Sequence, residues 1–357
     1  MLGTFAILFA LFIIGTKGKR SPIAARYDSI LIQTGRYLFF DTRLSFNNTK
    51  SCGSCHDPEF AFTDGYRTSI TASGEQLKHN APSLVNAVFL NYFDWANPSV
   101  TSLEKQEERP LFNEHPKELG ARGFETIILK RLKEDSIYKK LFTGAFPGLK
   151  EPISFQSVIR SIAAFVSTIK SLNSPFDRFN KGDSAALTRS SKKGMELFFS
   201  EKLQCKSCHA LPLFTLATNS RALDSIYINT GLYNIKNKNL YPSADNGLAA
   251  FTGNENDDGK FKIPTLRNIS ITAPYMHDGS INSLEEVIDV YANGGRNIPS
   301  GTFAGDGRIN NRKDKRIRRF DLSKTERKQL IDFLFSLTDS AVLINPAFLN
   351  PFNISNK

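Results

Sequence analysis

Apolar side chains recur at helical spacing in the middle of the chain. The segment "ISFQSVIRSIAAFVSTIKSLNS" carries apolar residues three or four positions apart, at Val158, Ile162, Phe165, Val166 and Ile169. This spacing predicts an amphipathic helix with one buried face. The segment "SPFDRFNKGD" then interrupts the pattern with Pro175 and Gly182, which favour a turn or linker. We therefore predict a domain boundary near residue 180.

Capping boxes predict two later helices. Ser283 is followed three positions later by Glu286 in "SLEEVIDVYANGG", and Ser323 is followed by Glu326 in "SKTERKQLIDFLFSLTD". The second helix has one apolar stripe, formed by Leu330, Phe333, Leu334 and Leu337. Segments with the alternating apolar and polar residues of a β-strand are few and short. The pattern predicts a mainly helical chain with long loops.

The chain contains an internal repeat. "GRYLFFD" at 35–41 resembles "GMELFFS" at 194–200, and each reads as the end of a helix that buries a Leu-Phe pair: Leu38 and Phe39, then Leu197 and Phe198. The simplest explanation is a duplicated module. We predict an N-terminal domain at 21–180, a C-terminal domain at 181–345 and a tail at 346–357.

Composition and charge narrow the class of protein. The 357 residues are 40% hydrophobic and 11% aromatic, which is enough to build two cores. The net charge of +11 comes from scattered Lys and Arg, without a nucleic-acid-binding motif, so we predict no nucleic-acid partner. The densest basic run, "RINNRKDKRIRR" at 308–319, is either a docking face for an acidic protein or a solvated loop.

The N-terminus is apolar. An uncharged run from Leu2 to Gly15 precedes Lys17, Lys19 and Arg20. The run is shorter than the roughly 20 residues of a membrane span, which favours an export signal over residues 1–20. An uncleaved N-terminal anchor is the alternative.

All four cysteines lie in two C-x-x-C-H motifs, "SCGSCH" at 51–56 and "QCKSCH" at 204–209. This motif is typical of covalent haem c, in which two thioethers hold the porphyrin and the histidine binds the iron. The attachment residues would be Cys52, Cys55, Cys205 and Cys208, with His56 and His209 as iron ligands. Structural zinc needs four converging ligands, and a redox dithiol favours a strand-helix-strand context, so both are weaker alternatives.

Several further segments resemble one family. They are "GRYLFFDTRLS", "SCGSCHDPEFAFTDG", "HNAPSLVNAVF", "SLEKQEERPLFNEHPKELG", "SPFDRFNKGD" and "FKIPTLRNISITAPYMHDGSINSLEEVIDVYANGG". In this order they resemble the bacterial dihaem cytochrome c peroxidases, including the methylamine-utilisation dihaem enzymes, over residues 27–340. The resemblance implies an all-α fold of two tandem class I cytochrome c-like domains. Each domain would surround one covalently bound haem c.

The resemblance also assigns roles to residues. His56 would serve the peroxide-reacting haem of the N-terminal domain, and His209 the electron-transfer haem of the C-terminal domain. Gln106 matches the family's active-site glutamine and Glu118 its distal glutamate; a carboxylate over an open iron face suits the proton transfer of peroxide cleavage. Trp95 matches a tryptophan between the haems that relays electrons, with a core tryptophan as the alternative.

Two departures from the family affect the haem ligands. Reductively activated members carry a loop histidine that caps the first haem, and here that position is near Ala72, so we predict an open first haem. His79 is adjacent to Asn80 and is therefore too constrained to take the place of the capping histidine. The second haem's sixth ligand would be Tyr291, fourteen positions after His277, or Met276.

The resemblance implies one calcium ion between the domains. Asn80, Thr272 and Pro274 occupy the family's ligand positions, and oxygen ligands suit calcium.

The implied function is a cytochrome c peroxidase in the periplasm. It would reduce hydrogen peroxide to water with electrons from a small soluble c-type cytochrome or cupredoxin. The alternatives are a methylamine-utilisation-type enzyme that oxidises residues of a partner protein, and a non-catalytic dihaem electron carrier. The family also makes a homodimer an expectation.

Overall fold

The computed structural model describes residues 22–218 and 222–353, with side chains from residue 28 onward. The predicted export signal or anchor at residues 1–20 lies outside these ranges. Within them, none of the helices combines the length and the apolar character that a membrane crossing requires.

Helices dominate the described ranges. The α-helices are α1 (Pro22–Phe40), α2 (Leu103–Phe112), α3 (Glu125–Glu134), α4 (Ser136–Ala145), α5 (Phe155–Val166), α6 (Pro175–Asn180), α7 (Arg189–Phe198), α8 (Leu223–Ile226), α9 (Ala249–Thr252), α10 (Leu284–Ala292), α11 (Lys324–Phe335) and α12 (Ala341–Ile344). Two antiparallel pairs of two-residue strands join β1 (Tyr227–Ile228) to β2 (Phe261–Lys262) and β3 (Asn297–Ile298) to β4 (Gly305–Asp306). The prediction of a mainly helical chain with long loops is confirmed.

The two predicted caps differ in detail. At α11 the box is complete, because Glu326 N donates to Ser323 Oγ (3.2 Å) and Ser323 N donates to the Glu326 carboxylate (2.8 Å). At α10 the Ser283 side chain accepts from Glu286 N, but the Glu286 carboxylate accepts instead from the backbone of Asn282 at 3.0 Å. Both helices begin where the sequence predicts.

Two helix pairs cross at glycines, and the same crossing occurs twice. A Cβ on Gly35 of α1 would lie 1.8 Å from the Ser161 carbonyl oxygen of α5, and a Cβ on Gly194 of α7 would lie 1.8 Å from the Gln329 carbonyl oxygen of α11. These contacts leave no room for a side chain, so the backbones touch. Beside each crossing two phenylalanine rings pack edge to face or tilted with centroids 5.2 Å apart: Phe39 with Phe165, and Phe198 with Phe333.

Each helix pair anchors its own hydrophobic core. The first core includes Phe39, Phe62 and Phe165, and the second includes Phe198 and Phe333. The C-terminal segment returns to the first core, where Val342 and Phe348 are buried, and Phe352 packs edge-on against Tyr37 at 5.4 Å. The C-terminal segment therefore packs against the N-terminal half of the chain.

We predict that Gly35→Ala and Gly194→Ala each lower the free energy of unfolding by about 1–3 kcal/mol or more, because the added methyl group must separate the two helices. Gly148→Ala is the control, since a Cβ there meets nothing within 4 Å. Chemical denaturation of the three variants measures the effect. Equal stability of all three would contradict the crossing.

Candidate functional site

Each C-x-x-C-H motif folds as a short 3-10 turn, at Cys52–Ser54 and at Cys205–Ser207. In the first, His56 N donates to the Cys52 carbonyl oxygen at 3.0 Å, and His56 Nδ1 lies 2.9 Å from the Phe62 carbonyl oxygen. A carbonyl can only accept, so Nδ1 carries the proton and donates it. The free Nε2 is then the atom available to bind a metal.

The second motif repeats this geometry. His209 N donates to the Cys205 carbonyl at 2.9 Å, and His209 Nδ1 donates to the Phe214 carbonyl at 3.0 Å. Burial lowers the pKa of His209 to about 4 and also lowers the pKa of His56. Both imidazoles are therefore neutral, which is the form that binds iron.

The cysteines favour thioether attachment over thiolate chemistry. Burial raises the pKa of Cys205 to about 12, and it raises the pKa values of Cys52, Cys55 and Cys208 as well. Reactive dithiols and zinc thiolates instead need a lowered pKa. Within 22–218 and 222–353, no three His, Cys, Asp or Glu side chains are grouped as a metal site. The donor set therefore fits covalent haem c better than either alternative.

A largely apolar cavity, partly open to solvent, lies beside the second motif. Its lining includes Cys205, Cys208, His209, Trp95, Met276 and Tyr291. The apolar walls and the motif histidine fit a haem at this position.

Both predicted sixth ligands line this cavity. Burial, together with the nearby Cys208 and Cys205, raises the pKa of the Tyr291 phenol. Within the part of the chain that the structure describes, the Tyr291 hydroxyl has no hydrogen-bond partner. Met276 adopts a left-handed backbone conformation with φ 71°. An iron bound to His209 would offer a partner to either side chain, so the choice between them stays open.

The predicted glutamate is near the first motif, because burial and, to a smaller extent, the Glu118 charge raise the pKa values of Cys52 and Cys55. Gln106 is on α2, and its Oε1 is buried without a hydrogen-bond partner among the described residues. Glu118 follows in the next loop, and burial raises the pKa of its carboxyl to about 7, with the Arg109 guanidinium opposing that rise. A carboxyl with this pKa can accept and release protons near neutral pH.

The loop at Ala72 lies against the Glu118 loop. Ala72 N donates to the Glu118 carbonyl oxygen at 2.7 Å, so the position of the family's capping histidine carries only a methyl group here. His79 is bound elsewhere, with Nε2 at 2.9 Å from Asp245 Oδ1. The open first haem stays a prediction, and these contacts agree with it.

Trp95 lies between the two halves of the chain. Its indole N–H donates to the Asn80 carbonyl oxygen at 2.9 Å, and its own carbonyl accepts from Lys262 N at 2.8 Å. The Lys262 ammonium is 6.0 Å from the Trp95 ring centroid, and burial lowers the pKa of this lysine to about 8. Trp95 therefore has direct contacts with both halves as well as with the second cavity.

The predicted calcium ligands lie on two loops that meet. Asn80 N donates to the His277 carbonyl oxygen at 2.8 Å, and its side-chain amide donates to the carbonyls of Tyr66 (2.9 Å) and Arg67 (3.3 Å). Thr272 and Pro274, which follows a cis peptide bond, are on the loop that contains His277. Carbonyl oxygens near Asn80 suit calcium. The calcium site stays a prediction.

Acidic neighbours compensate much of the basic run at 308–319. Arg308 pairs with Asp306 at 2.7 Å and Arg316 with Asp314 at 2.7 Å. Arg316 and Arg318 line the second cavity, which puts part of the run beside the site. Paired surface charges steer a partner weakly, so the run supports docking less than its sequence suggests.

Glu107 was missed by the sequence analysis. It is 8% exposed, and burial with the nearby Glu104 and Glu118 raises the pKa of its carboxyl to about 8. The sequence does contain a signal for its burial, because Glu107 lies four positions from both Leu103 and Leu111, in the apolar register of α2.

Comparison with known proteins gives consistent matches. Residues 30–185 match the family described as di-haem cytochrome c peroxidase. The methylamine utilization protein MauG of Methylorubrum extorquens is 32% identical over 86% of this chain and 77% of its own. Cytochrome-c peroxidase IdrP2 of Denitromonas iodatirespirans is 31% identical over 89% of this chain and 84% of its own. A crystal structure of a MauG-like protein associated with microbial copper homeostasis has a TM-score of 0.86 at 42% identity, covering 90% of this chain and 93% of that one.

We predict that replacing Cys52 and Cys55 together by alanine removes one covalent haem per chain, and that replacing Cys205 and Cys208 together removes the other. Each motif holds its porphyrin by its own two thioethers. Pyridine haemochrome absorbance per mole of protein and intact mass measure the loss. A double variant that retains two covalent haems would contradict this assignment.

Proposed function

From the premise that the chain belongs to the dihaem cytochrome c peroxidase family, we propose that it is a peroxide-dependent oxidoreductase with two haem c groups. Hydrogen peroxide is the oxidant, and a protein supplies the electrons. The observation that carries the proposal is the difference between the two sites. Glu118 offers a proton-transfer group and Gln106 an orienting amide at the first site, whereas a tyrosine and a methionine line the second.

The residues of the first site carry out the proton transfers. When bound there, haem c supplies an iron that takes up peroxide and electrons. Glu118 takes a proton from one peroxide oxygen and returns it to the other, which leaves as water. The Gln106 amide holds the peroxide in the orientation that this transfer needs. Ala72 leaves the approach open, since its methyl group cannot bind iron.

Two candidate functions within this class of peroxide-dependent oxidoreductases differ in the protein that supplies the electrons. Oxidation of residues in a partner protein is favoured by Tyr291. Its phenol forms no hydrogen bond with the described residues and would stabilise ferric iron as tyrosinate. The 42% identity to a MauG-like protein supports the same choice. Peroxidase activity with a small c-type cytochrome or cupredoxin is the second candidate, and Met276 in the same cavity favours it because a thioether raises the potential.

Other features of the proposal follow from the family. Trp95 relays electrons between the sites, a role that agrees with its contacts to Asn80 and Lys262. A calcium ion at Asn80, Thr272 and Pro274 holds the two loops together. We place the protein in the periplasm, where haem c is attached in this family, and we expect a homodimer.

Steady-state consumption of hydrogen peroxide by the fully loaded protein tests the function. We predict turnover that falls as the pH drops below about 7, because Glu118 must be ionised to act as the base. Glu118→Gln should lower the rate by about 10²–10⁴-fold. Glu114→Gln, an exposed carboxylate in the same segment, is the control and should keep the wild-type rate. A loaded wild type that does not consume peroxide would refute the proposal.

Two substitutions in the second cavity decide the sixth ligand. We predict that Tyr291→Phe converts the second ferric haem from low spin to high spin, because phenylalanine has no oxygen to bind iron. Met276→Leu should leave the absorption spectrum unchanged. If Met276→Leu changes the spin state and Tyr291→Phe does not, Met276 is the ligand. That result would favour a peroxidase that takes electrons from a small c-type cytochrome or cupredoxin.

A further inference from the structure

An acidic side chain interrupts the buried stripe of α2. Leu103 and Leu111 pack against the first core, and Glu107 lies between them at the same helical register. A leucine would be expected at this position from the pattern alone. Instead the carboxyl is 8% exposed. A polar group that breaks a local rule in a core is a candidate for function.

The Glu107 carboxyl makes no polar contact in the part of the chain that the structure describes. Across residues 28–218 and 222–353, no hydrogen bond or ion pair to this side chain is formed. An ionised carboxylate in such a place would carry a large desolvation cost, so the group is retained as the neutral acid. The adjacent Gln106 also has a buried oxygen without a partner. Two consecutive buried polar groups of α2 are therefore unmatched by protein.

The charges around Glu107 reinforce the neutral form. Burial raises its pKa most, and Glu104 on the same helix and Glu118 in the following loop raise it further, to about 8. From the loop after α1, Cys52 is the nearby titratable group, and Glu107 in turn raises its pKa. From α5, Arg160 lies with Glu104 and Glu108 around a shallow pocket on α2. Arg109 pairs with Asp94 at 3.0 Å.

We propose that Glu107 is a positioning residue that acts through Glu118, as a protonated acid that restores the proton Glu118 delivers during peroxide reduction. This inference rests on the proposed function. Reduction of one H₂O₂ to two H₂O consumes two protons and two electrons, and the electrons come from the protein reductant. The first water leaves with the proton that Glu118 moved between the two peroxide oxygens, so Glu118 ends that step as a carboxylate again. The remaining oxygen needs two protons and two electrons to become the second water. Glu107 gives its proton to the Glu118 carboxylate, which passes it to that oxygen, and Glu107 recovers a proton from solvent before each transfer.

This arrangement explains why the carboxyl tolerates its apolar surroundings. A buried carboxylate is unstable, so Glu107 is ionised only briefly between donation and reprotonation. Its acid form persists at neutral pH, where Glu118, with the lower pKa of about 7, is available as the base. Two carboxyls with separated pKa values can divide the roles of base and acid.

The test uses the fully loaded, full-length protein with Glu107→Gln and Glu107→Leu. Glu108→Gln is the matched control, because Glu108 is the next residue on α2 and is exposed. We expect both Glu107 variants to keep the haem absorption spectrum and to lose at least about tenfold in peroxide turnover. We also expect the wild-type rate to fall above about pH 8, as Glu107 ionises, and both variants to lack that decline.

A second readout does not depend on turnover. The pKa of Glu107 is higher in the folded chain (about 8) than its ordinary value of 4.5, so its contribution to stability is complete below pH 4.5 and is lost as the pH rises through 8. The unfolding midpoint of the wild type should therefore fall relative to Glu107→Gln over this pH range. Infrared difference spectra should also lose one protonated-carboxyl band in Glu107→Gln.

The outcomes separate this inference from the function on which it rests. If Glu107→Leu and Glu107→Gln keep both the wild-type rate and its alkaline decline, Glu107 has only a structural role and the proposal is wrong. If the loaded wild type does not react with peroxide, the proposed function is refuted, and the relay with it. An active wild type combined with slow Glu107 variants that lack the alkaline decline, and an unchanged Glu108→Gln, supports the relay.

Discussion

The hydrogen bond from each motif histidine to a backbone carbonyl is the constraint on which the rest of the structure depends. His56 donates to Phe62 at 2.9 Å and His209 donates to Phe214 at 3.0 Å, so each ring has one tautomer and one orientation. Both phenylalanines adopt left-handed backbone conformations, with φ 62° and 54°, which are uncommon for bulky residues. The surrounding hydrophobic cores maintain this backbone conformation. The backbone carbonyl in turn fixes the orientation of each imidazole, and therefore the direction of its free Nε2.

The repeated scaffold carries different chemistry at its two sites. Helix pairs that cross at Gly35 and Gly194 build equivalent cores, yet the first site adds carboxyl and amide groups while the second adds a phenol and a thioether. Proton transfer needs groups whose pKa values lie near neutrality, and Glu118 satisfies this condition. In the proposed function the second haem passes electrons, and Tyr291 or Met276 would complete the coordination of its iron. The repeated crossing agrees with the duplicated module that the sequence predicts.

Sequence alone could predict what is locally encoded. The α5 stripe and the Ser323 cap depend on neighbours within a few residues, and both predictions identify the correct segment. The return of Phe348 to the first core could not be predicted, because it depends on contacts between distant parts of the chain. The position of Glu107 in the apolar register of α2 can be read from the sequence, but its charged neighbours favour a solvated face, and the packing of α2 against α5 is a contact between distant parts of the chain.

The electron paramagnetic resonance spectrum of the ferric protein, recorded before and after a stoichiometric amount of hydrogen peroxide, tests the central claim of unequal sites most directly. The account predicts one high-spin and one low-spin haem, with the high-spin signal lost on addition of peroxide because the first iron has an open face. Two low-spin signals that peroxide leaves unchanged would contradict it.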